Sequence, residues 1–199
     1  MNLARRQGAA VFLDRDGTLI REVNYLCAIE QIEILPGVSQ ALSLLRAHGF
    51  KLVMVTNQSV VARGRLSENG LQAIHAELNK RLSGDGAALD AIYYCPHHPT
   101  EGVGDYRIAC DCRKPKPGMI ERAVRELALN PALSYVVGDQ MTDMELAIAA
   151  GARGILISRD EAAGGDVAAI NVPVVADLSR AAEWIIERLG QTPIGAEQP

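Results

Sequence analysis

The stretch that decides the fold of this chain is Val11-Phe12-Leu13-Asp14-Arg15-Asp16-Gly17-Thr18-Leu19. Its apolar first part is typical of a strand that is buried on both faces of a parallel sheet. The carboxyl ends of such strands border the crevice where α/β sheets bind ligands, so Asp14 and Asp16 would both be delivered there. One fixed carboxylate can attack an electrophile while its neighbour exchanges protons. Asp and Gly also simply terminate strands, and this pair alone does not exclude that interpretation.

Short apolar runs alternate with helical patterns along most of the chain. Strands are predicted over residues 9–13, 51–56, 91–94, 135–138 and 154–157. Helices are predicted over residues 38–48, 67–82, 118–127, 144–150 and 178–189. This alternation predicts an α/β fold with a doubly wound, Rossmann-like parallel sheet and right-handed crossovers. We expect a single domain over residues 1–190, a disordered tail over residues 191–199, and two long loops over residues 21–35 and 96–117.

The composition of the chain limits its partners. Its 199 residues are 48% apolar and carry a formal net charge of −4, with a mean hydropathy of +0.05 and an isoelectric point near 5.6. Such a chain can form a packed core, and its acidic balance disfavours nucleic acid as the main partner. No apolar run is long enough to cross a bilayer, and no apolar signal segment precedes the first strand. We expect a cytoplasmic, monomeric protein that acts on a small molecule and has no membrane partner.

Three of the four cysteines lie close to histidines, at the edges of the second long loop. The segments are Cys95-Pro96-His97-His98 and Cys110-Asp111-Cys112. Three thiolates and one imidazole can close a tetrahedral Zn²⁺ site, which leaves no open position for catalysis. A loop with so few apolar residues needs a cross-link to stay ordered. Structural zinc is therefore favoured over free thiols. Cys27 has no partner in the sequence and is predicted to be an isolated thiol.

Further polar residues follow other predicted strands. Thr56-Asn57-Gln58-Ser59 come at the end of the second strand, where a hydroxyl and an amide could donate to a phosphate oxygen, although these residues also suit an ordinary helix-capping turn. Asp139 leaves the fourth strand as Asp14 leaves the first, so the two carboxylates can share one Mg²⁺ ion. Asp143 lies four residues later and either caps the following helix or joins the metal site.

The second long loop leads into the basic segment Arg113-Lys114-Pro115-Lys116-Pro117-Gly118. Three cations in four positions usually form a solvated face, but here prolines stiffen the segment just before a predicted helix. A lysine fixed beside a phosphate would lower the barrier to phosphoryl transfer, because it cancels charge as the bond breaks.

Taken in chain order, these motifs resemble those of the haloacid dehalogenase superfamily of phosphotransferases. The pattern is Asp-x-Asp-Gly-Thr, then a Ser or Thr at a strand end, then a Lys, then Gly-Asp-x-x-x-Asp. The resemblance implies that Asp14 is the nucleophile that forms an aspartyl-phosphate and that Asp16 is the general acid and base. It also implies that Thr56 and Lys114 bind the transferring phosphoryl group. The implied Mg²⁺ ligands are Asp14, the backbone carbonyl of Asp16, and Asp139.

The zinc loop resembles that of one branch of the superfamily without a large cap domain, the D-glycero-D-manno-heptose 1,7-bisphosphate 7-phosphatases. The long segment 99–109 favours this branch over the related histidinol-phosphate phosphatases, which stay as the alternative. The resemblance implies a Mg²⁺-dependent enzyme that removes the 7-phosphate of a heptose bisphosphate in nucleotide-activated heptose biosynthesis. The implied zinc ligands are Cys95, His97, Cys110 and Cys112. The implied substrate-binding residues are Glu22, Val23, Asn24, Tyr25, Asn57, Gln58, Ser59, Gln140 and Arg113, the last at the distal phosphate.

Three positions depart from the pattern of this branch. Val60 stands where a glycine usually follows Asn-Gln-Ser, Asn24-Tyr25 stands where Gly-Tyr is common, and Gln140 stands where a lysine often follows Gly-Asp. The loss of that lysine removes one cation from the predicted pocket. A different class of function, a zinc-loop binding module without catalysis, would have no need of the acids, Thr56 and Lys114 together.

Overall fold

A parallel sheet carries the fold. The computed structural model describes residues 7–158 and 172–189. Within them the strands are β1 (Ala10–Leu13), β2 (Lys51–Asn57), β3 (Ala91–Cys95), β4 (Tyr135–Gly138), β5 (Arg153–Ile157) and β6 (Val174–Val175). All neighbouring strands are parallel, and their order across the sheet is β3-β2-β1-β4-β5-β6. The predicted doubly wound parallel sheet is confirmed.

The helices follow the strands in alternation. They are α1 (Val38–Ala47), α2 (Ser59–Ala62), α3 (Glu68–Gly84), α4 (Gly118–Leu127), α5 (Met141–Ala150) and α6 (Leu178–Leu189). Helix α3 begins after Ser67, whose hydroxyl accepts a hydrogen bond from the Gly70 amide at 3.1 Å. Helix α5 ends at Gly151, which has a φ of +70° in the left-handed region that glycine adopts most easily. None of the helices in the described ranges combines the length and the apolar character that a membrane span requires.

Alternating side chains of the central strands pack against two helical layers. Val11 and Leu13 of β1 belong to a buried cluster with apolar residues of α1, α3 and α6. Ala10 and Phe12, on the opposite face of the same strand, belong to a second cluster with residues of α4 and α5. Because both faces of the sheet are covered, the central strands are apolar throughout, which explains why they appear in the sequence as continuous apolar runs.

Several element boundaries differ from the sequence-based expectation. The short strand β6 and the short helix α2 were not predicted, because neither is long enough to show a periodic pattern. Helix α5 begins at Met141 rather than at residue 144, and Cys95 is the last residue of β3 rather than part of the loop. The tail expected over residues 191–199 lies outside the described residues.

The order of the strands creates a crevice between β1 and β4. The chain winds from β1 outward to β2 and β3, and then crosses back to β4 on the other side of β1. Asp14 follows β1 and Asp139 follows β4, and the Asp14 amide donates to the Val137 carbonyl at 3.0 Å. This reversal point at the carboxyl ends of the strands is where open α/β sheets bind their ligands.

Candidate active site

A buried lysine lies between two carboxylates at this crevice. The Lys114 Nζ atom is 2.7 Å from Asp14 Oδ1 and 2.7 Å from Asp143 Oδ1, and it also donates to the Val55 carbonyl at 3.2 Å. Lys114 is 5% exposed, Asp14 7% and Asp143 0%. Burial by itself would lower the pKa of Lys114, but the two carboxylates raise it above its usual value. The lysine is therefore a fixed cation beside the predicted nucleophile.

Asp139 completes a group of three carboxylates. One oxygen from each of Asp14, Asp139 and Asp143 lies within 4.8 Å of the others. The Asp139 Oδ1 atom is buried and has no hydrogen-bond partner among the described residues. Burial, followed by the nearby charge of Asp14, raises the pKa of Asp139. Three carboxylates beside one ammonium leave uncompensated negative charge, so these oxygen donors fit a hard divalent cation such as Mg²⁺.

Gly17 makes this arrangement of carboxylates possible. Its φ of +74° lies in the left-handed region, and a Cβ atom at this position would collide with the Asp139 carboxylate. The glycine of the Asp-x-Asp-Gly segment is thus required both by the turn that follows β1 and by the close approach of the carboxylate that follows β4.

Asp143 positions other groups. Its Oδ1 atom accepts from Lys114, and its Oδ2 atom accepts from the Gln140 amide at 3.2 Å, at the start of α5. Burial, followed by the charge of Asp14, raises the pKa of the Asp143 carboxyl to about 6. The sequence left two roles open for this residue. The structure shows the helix cap and adds the contact with Lys114, which the sequence did not predict.

Asp16 is held by a network whose central member was not predicted. The Arg15 guanidinium donates to Asp16 through Nε at 3.2 Å and Nη2 at 3.0 Å, and Nη2 also donates to Gln58 Oε1 at 2.8 Å. Gln58 Nε2 in turn lies 2.9 Å from both Asp16 Oδ2 and Thr56 Oγ1. The Gln58 amide joins Asp16, Arg15 and Thr56, and its contact with substrate stays a prediction.

Asn57 fixes the backbone of Lys114 through two hydrogen bonds. Its Nδ2 atom donates to the Lys114 carbonyl at 3.1 Å, and its Oδ1 atom accepts from the Lys114 amide at 3.0 Å. Two reciprocal hydrogen bonds fix the backbone of the loop beside the end of β2. The Asn57 amide therefore holds the backbone of Lys114 in place, and its contact with substrate stays a prediction.

These groups open into a cavity of about 460 Å³. Most of the predicted site residues line it: Asp14, Asp16, Glu22, Val23, Asn24, Tyr25, Thr56, Asn57, Gln58, Ser59, Lys114, Asp139 and Gln140. Arg15, Leu26, Val60 and Thr142 line it as well and were not predicted as site residues. Arg113 is not among the lining residues. Its Nη1 atom donates to the His97 carbonyl at 3.0 Å, and its contact with the substrate stays a prediction.

Several acidic side chains line the cavity, among them Asp14, Asp16, Glu22 and Asp139. Burial, followed by the charges of Asp16, Asp139 and Asp14, raises the pKa of the Glu22 carboxyl to about 6. The cations among the described lining residues are Arg15 and Lys114, and both already contact carboxylates. An anionic substrate therefore requires additional positive charge to enter.

The four predicted zinc ligands come together beside the end of β3. The Cys110 Sγ atom is 3.5 Å from Cys95 Sγ and 3.2 Å from Cys112 Sγ, and His97 Nδ1 is 3.4 Å from Cys112 Sγ. A disulfide would need about 2.05 Å, whereas sulfurs around a tetrahedral Zn²⁺ with bonds of about 2.3 Å lie roughly 3.8 Å apart. The donor set and its spacing fit zinc.

The thiols of the cluster interact, and a hydrogen bond with Cys112, followed by burial, raises the pKa of the Cys95 thiol well above its usual value. A hydrogen bond from Cys95 is the largest cause that lowers the pKa of the Cys112 thiol, to about 5. Thiolates are the form that binds zinc. His98, the other histidine of the segment, accepts from the Glu101 amide at 2.9 Å through Nδ1, and His97 is the histidine that lies in the cluster.

Comparison with known proteins identifies the family. A HAD-hydrolase-like family model matches residues 111–181. The D-glycero-beta-D-manno-heptose-1,7-bisphosphate 7-phosphatase of Pasteurella multocida is 39% identical over 184 residues, which cover 92% of this chain and 94% of the relative. The Escherichia coli K12 protein of the same name is 38% identical, with 92% and 91% covered. The chain belongs to this family. The resemblance read from its motifs is confirmed.

Solved structures of the same family share the fold. The D,D-heptose 1,7-bisphosphate phosphatase of B. bronchiseptica, crystallised with magnesium and phosphate, has a TM-score of 0.77 and 31% identity, and covers 90% of this chain and 99% of its own. A HAD-like phosphatase from Mesorhizobium loti has a TM-score of 0.80 and 30% identity, with 92% and 88% covered. Like these relatives, the chain is a phosphatase of the haloacid dehalogenase superfamily.

Proposed function

We propose that this chain removes the 7-phosphate of D-glycero-β-D-manno-heptose 1,7-bisphosphate in the formation of nucleotide-activated heptose. The observation that carries the proposal is the buried Asp14 carboxylate, paired at 2.7 Å with the Lys114 ammonium at the crevice between β1 and β4. The names of the family relatives support the substrate and its β anomer, which the sequence motifs left open. We propose that the protein acts as a cytoplasmic monomer.

In the first step, an Asp14 carboxylate oxygen attacks the phosphorus atom. The bond between phosphorus and the sugar oxygen breaks, and Asp16 gives its proton to the departing alkoxide. Lys114 faces the oxygens on which negative charge accumulates and stabilises them. The products of this step are an aspartyl-phosphate and the sugar with a free hydroxyl at C7.

In the second step, water attacks the phosphorus atom of the aspartyl-phosphate. Asp16, now a carboxylate, accepts a proton from this water, and the bond between phosphorus and the Asp14 oxygen breaks. Inorganic phosphate leaves, and Asp14 returns to its starting form. The hydrogen bonds from Arg15 and Gln58 hold the Asp16 carboxyl group in place for both of its roles.

The carboxylates of Asp14 and Asp139 and the backbone carbonyl of Asp16 would hold Mg²⁺. When bound, the ion supplies positive charge that stabilises the phosphoryl oxygens and offsets the acidic side chains that line the cavity. The unpaired Asp139 Oδ1 atom and the magnesium in the B. bronchiseptica relative support this assignment.

A second phosphate on the substrate needs a second cationic group. Arg113, the predicted partner of that phosphate, donates to the His97 carbonyl through Nη1, and two further arginines lie close to the cavity. The Arg65 guanidinium lies 4.1 Å from the centre of the Tyr25 ring, and that of Arg63 lies 5.5 Å from it. Since Tyr25 lines the cavity, the two arginines lie beside its border. We propose that Arg65, which is exposed, binds the distal phosphate.

Zinc would be held by Cys95, His97, Cys110 and Cys112. It would tie the end of β3 to the segment that leads directly into Lys114. The four protein ligands leave no position for substrate, so the proposed role of zinc is to order this loop.

Phosphate release from a panel of substrates tests the proposal. The panel contains both anomers of the heptose 1,7-bisphosphate, the heptose 7-phosphate and histidinol phosphate, each with and without Mg²⁺. We expect the β-bisphosphate to give the highest kcat/KM, and Asp14→Asn to abolish turnover while the fold is kept. Preference for histidinol phosphate would support the alternative substrate. If no phosphate is released from any substrate, the chain acts as a zinc-loop binding module instead.

A further inference from the structure

A buried histidine lies behind the network that holds Asp16. His75 belongs to α3 and is 3% exposed. Its Nε2 atom is 3.2 Å from Arg15 Nη1, on the side of the guanidinium that does not contact Asp16. Arg15 is itself 1% exposed, so both partners are inside the protein.

The chemistry of the two groups settles which atom carries the proton. A guanidinium only donates hydrogen bonds, so His75 Nε2 must be the acceptor and the ring is neutral with its proton on Nδ1. Burial, followed by the charge of Arg15, lowers the pKa of His75 to about 3, which keeps the ring neutral. The Nδ1 atom is buried and has no hydrogen-bond partner among the described residues.

An unpaired buried N–H destabilises a folded protein, and an apolar side chain at this position would avoid that cost. Local costs of this kind are expected where function requires them. The contact between Nε2 and Arg15 explains why an imidazole is present here, because the Nδ1 atom makes no hydrogen bond with the described residues.

We infer that His75 is a positioning residue for Asp16 and acts through Arg15. The imidazole accepts from one end of the guanidinium, and the other end holds the Asp16 carboxylate together with Gln58. Without the acceptor, the guanidinium loses a buried partner and can rotate, and Asp16 loses its fixed orientation. The inference rests on the proposed function, since it assumes that Asp16 transfers the protons.

The competing explanation is that His75 only packs. Its ring makes an edge contact with the Tyr94 ring, with centroids 5.5 Å apart. A glutamine at this position loses the ring contact but keeps an acceptor that can reach Arg15, whereas a leucine loses the acceptor and keeps apolar bulk. The two substitutions therefore separate the two explanations.

The test compares His75→Leu, His75→Gln and Leu78→Ala, a substitution of a buried apolar residue on the same helix. Turnover of the heptose bisphosphate is measured with saturating Mg²⁺ well below each variant's unfolding temperature. We expect His75→Leu to lower kcat by about tenfold or more with KM within twofold, because partners of this kind affect activity by roughly 10–100-fold. His75→Gln should recover kcat to within about threefold of the parent, and Leu78→Ala should lower stability but not kcat.

The inference is overturned if His75→Leu keeps the parent kcat, or if the leucine and glutamine variants lose kcat equally. An inactive parent would instead contradict the proposed function. Should His75→Leu fail to fold, nitrogen NMR of the parent decides: an unprotonated Nε2 atom in a neutral ring supports the inference, and a protonated Nε2 atom overturns it.

Discussion

Replacement of Lys114 by methionine should destabilise the protein strongly, because it leaves buried carboxylates without their cation. In the parent, the ammonium makes two contacts of 2.7 Å, with Asp14 and Asp143. Breaking a buried ion pair by removing one partner costs about 3–5 kcal/mol, which is a large part of the roughly 5–15 kcal/mol that stabilises a typical domain. We expect a loss of this size for Lys114→Met in magnesium-free buffer, measured as the free energy of unfolding in urea.

A second substitution tests the reason for the loss. Asp143→Asn removes one of the two stranded charges, so the double variant should recover about half or more of the stability that Lys114→Met loses. Lys116→Met is the control, because Lys116 is half exposed and pairs with the exposed Asp111; it should change stability by about 0.5 kcal/mol or less. A loss below about 1 kcal/mol for Lys114→Met, or a double variant that is less stable than the single one, would refute the reasoning.

Three further predictions concern the distal phosphate, the zinc loop and the buried histidine. Arg65→Ala should lower kcat/KM for the bisphosphate by about tenfold and leave kcat/KM for the heptose 7-phosphate unchanged. The control is Arg180→Ala, which removes an exposed arginine paired with a neighbouring glutamate and should change neither value. Cys112→Ser should weaken zinc binding by about tenfold or more, as measured by competition with a chromogenic chelator, while Cys27→Ser should bind zinc like the parent. His75 has a folded pKa of about 3 and an ordinary value of 6.5, so its contribution to stability is present above pH 6.5 and is lost as the pH falls towards 3. Between pH 7.5 and pH 5 the parent should therefore lose about 2 kcal/mol more unfolding free energy than His75→Gln.

One result would contradict each of these three predictions. Equal losses for the bisphosphate and the monophosphate would show that Arg65 does not discriminate a second phosphate. Undiminished zinc affinity in Cys112→Ser would remove that thiolate from the metal site. Parallel pH profiles of stability for the parent and His75→Gln would mean that His75 has the same pKa in the folded protein as in the unfolded chain.

The meeting of Asp14 and Asp139 was predictable because it follows from topology. Two apolar runs that each end in a carboxylate must place those carboxylates at the same edge of a parallel sheet, whatever the intervening chain does. The grouping of Cys95, His97, Cys110 and Cys112 was predictable for a related reason, since the chemistry of thiols and imidazole limits what such a set of residues can do.

Side-chain directions within the loops were not predictable in the same way. Arg15 lies between two acids in the sequence and gives no sign that it turns into the protein to meet His75, which is 60 residues away. The sequence also shows no sign that Arg113 donates to the His97 carbonyl. Asn57 and Gln58 suited phosphate binding by residue type, yet their amides are used to hold Lys114 and Asp16. These side-chain directions depend on which buried polar groups need hydrogen-bond partners, and the sequence does not show which groups become buried.

The residue that carries the phosphoryl group can be observed directly in a crystal of the protein grown with Mg²⁺ and beryllium fluoride, which mimics a bound phosphoryl group. We predict that beryllium is bonded to a carboxylate oxygen of Asp14, with Lys114 beside the fluorides. An adduct on any other side chain, or beryllium fluoride bound without a bond to Asp14, would contradict the covalent mechanism.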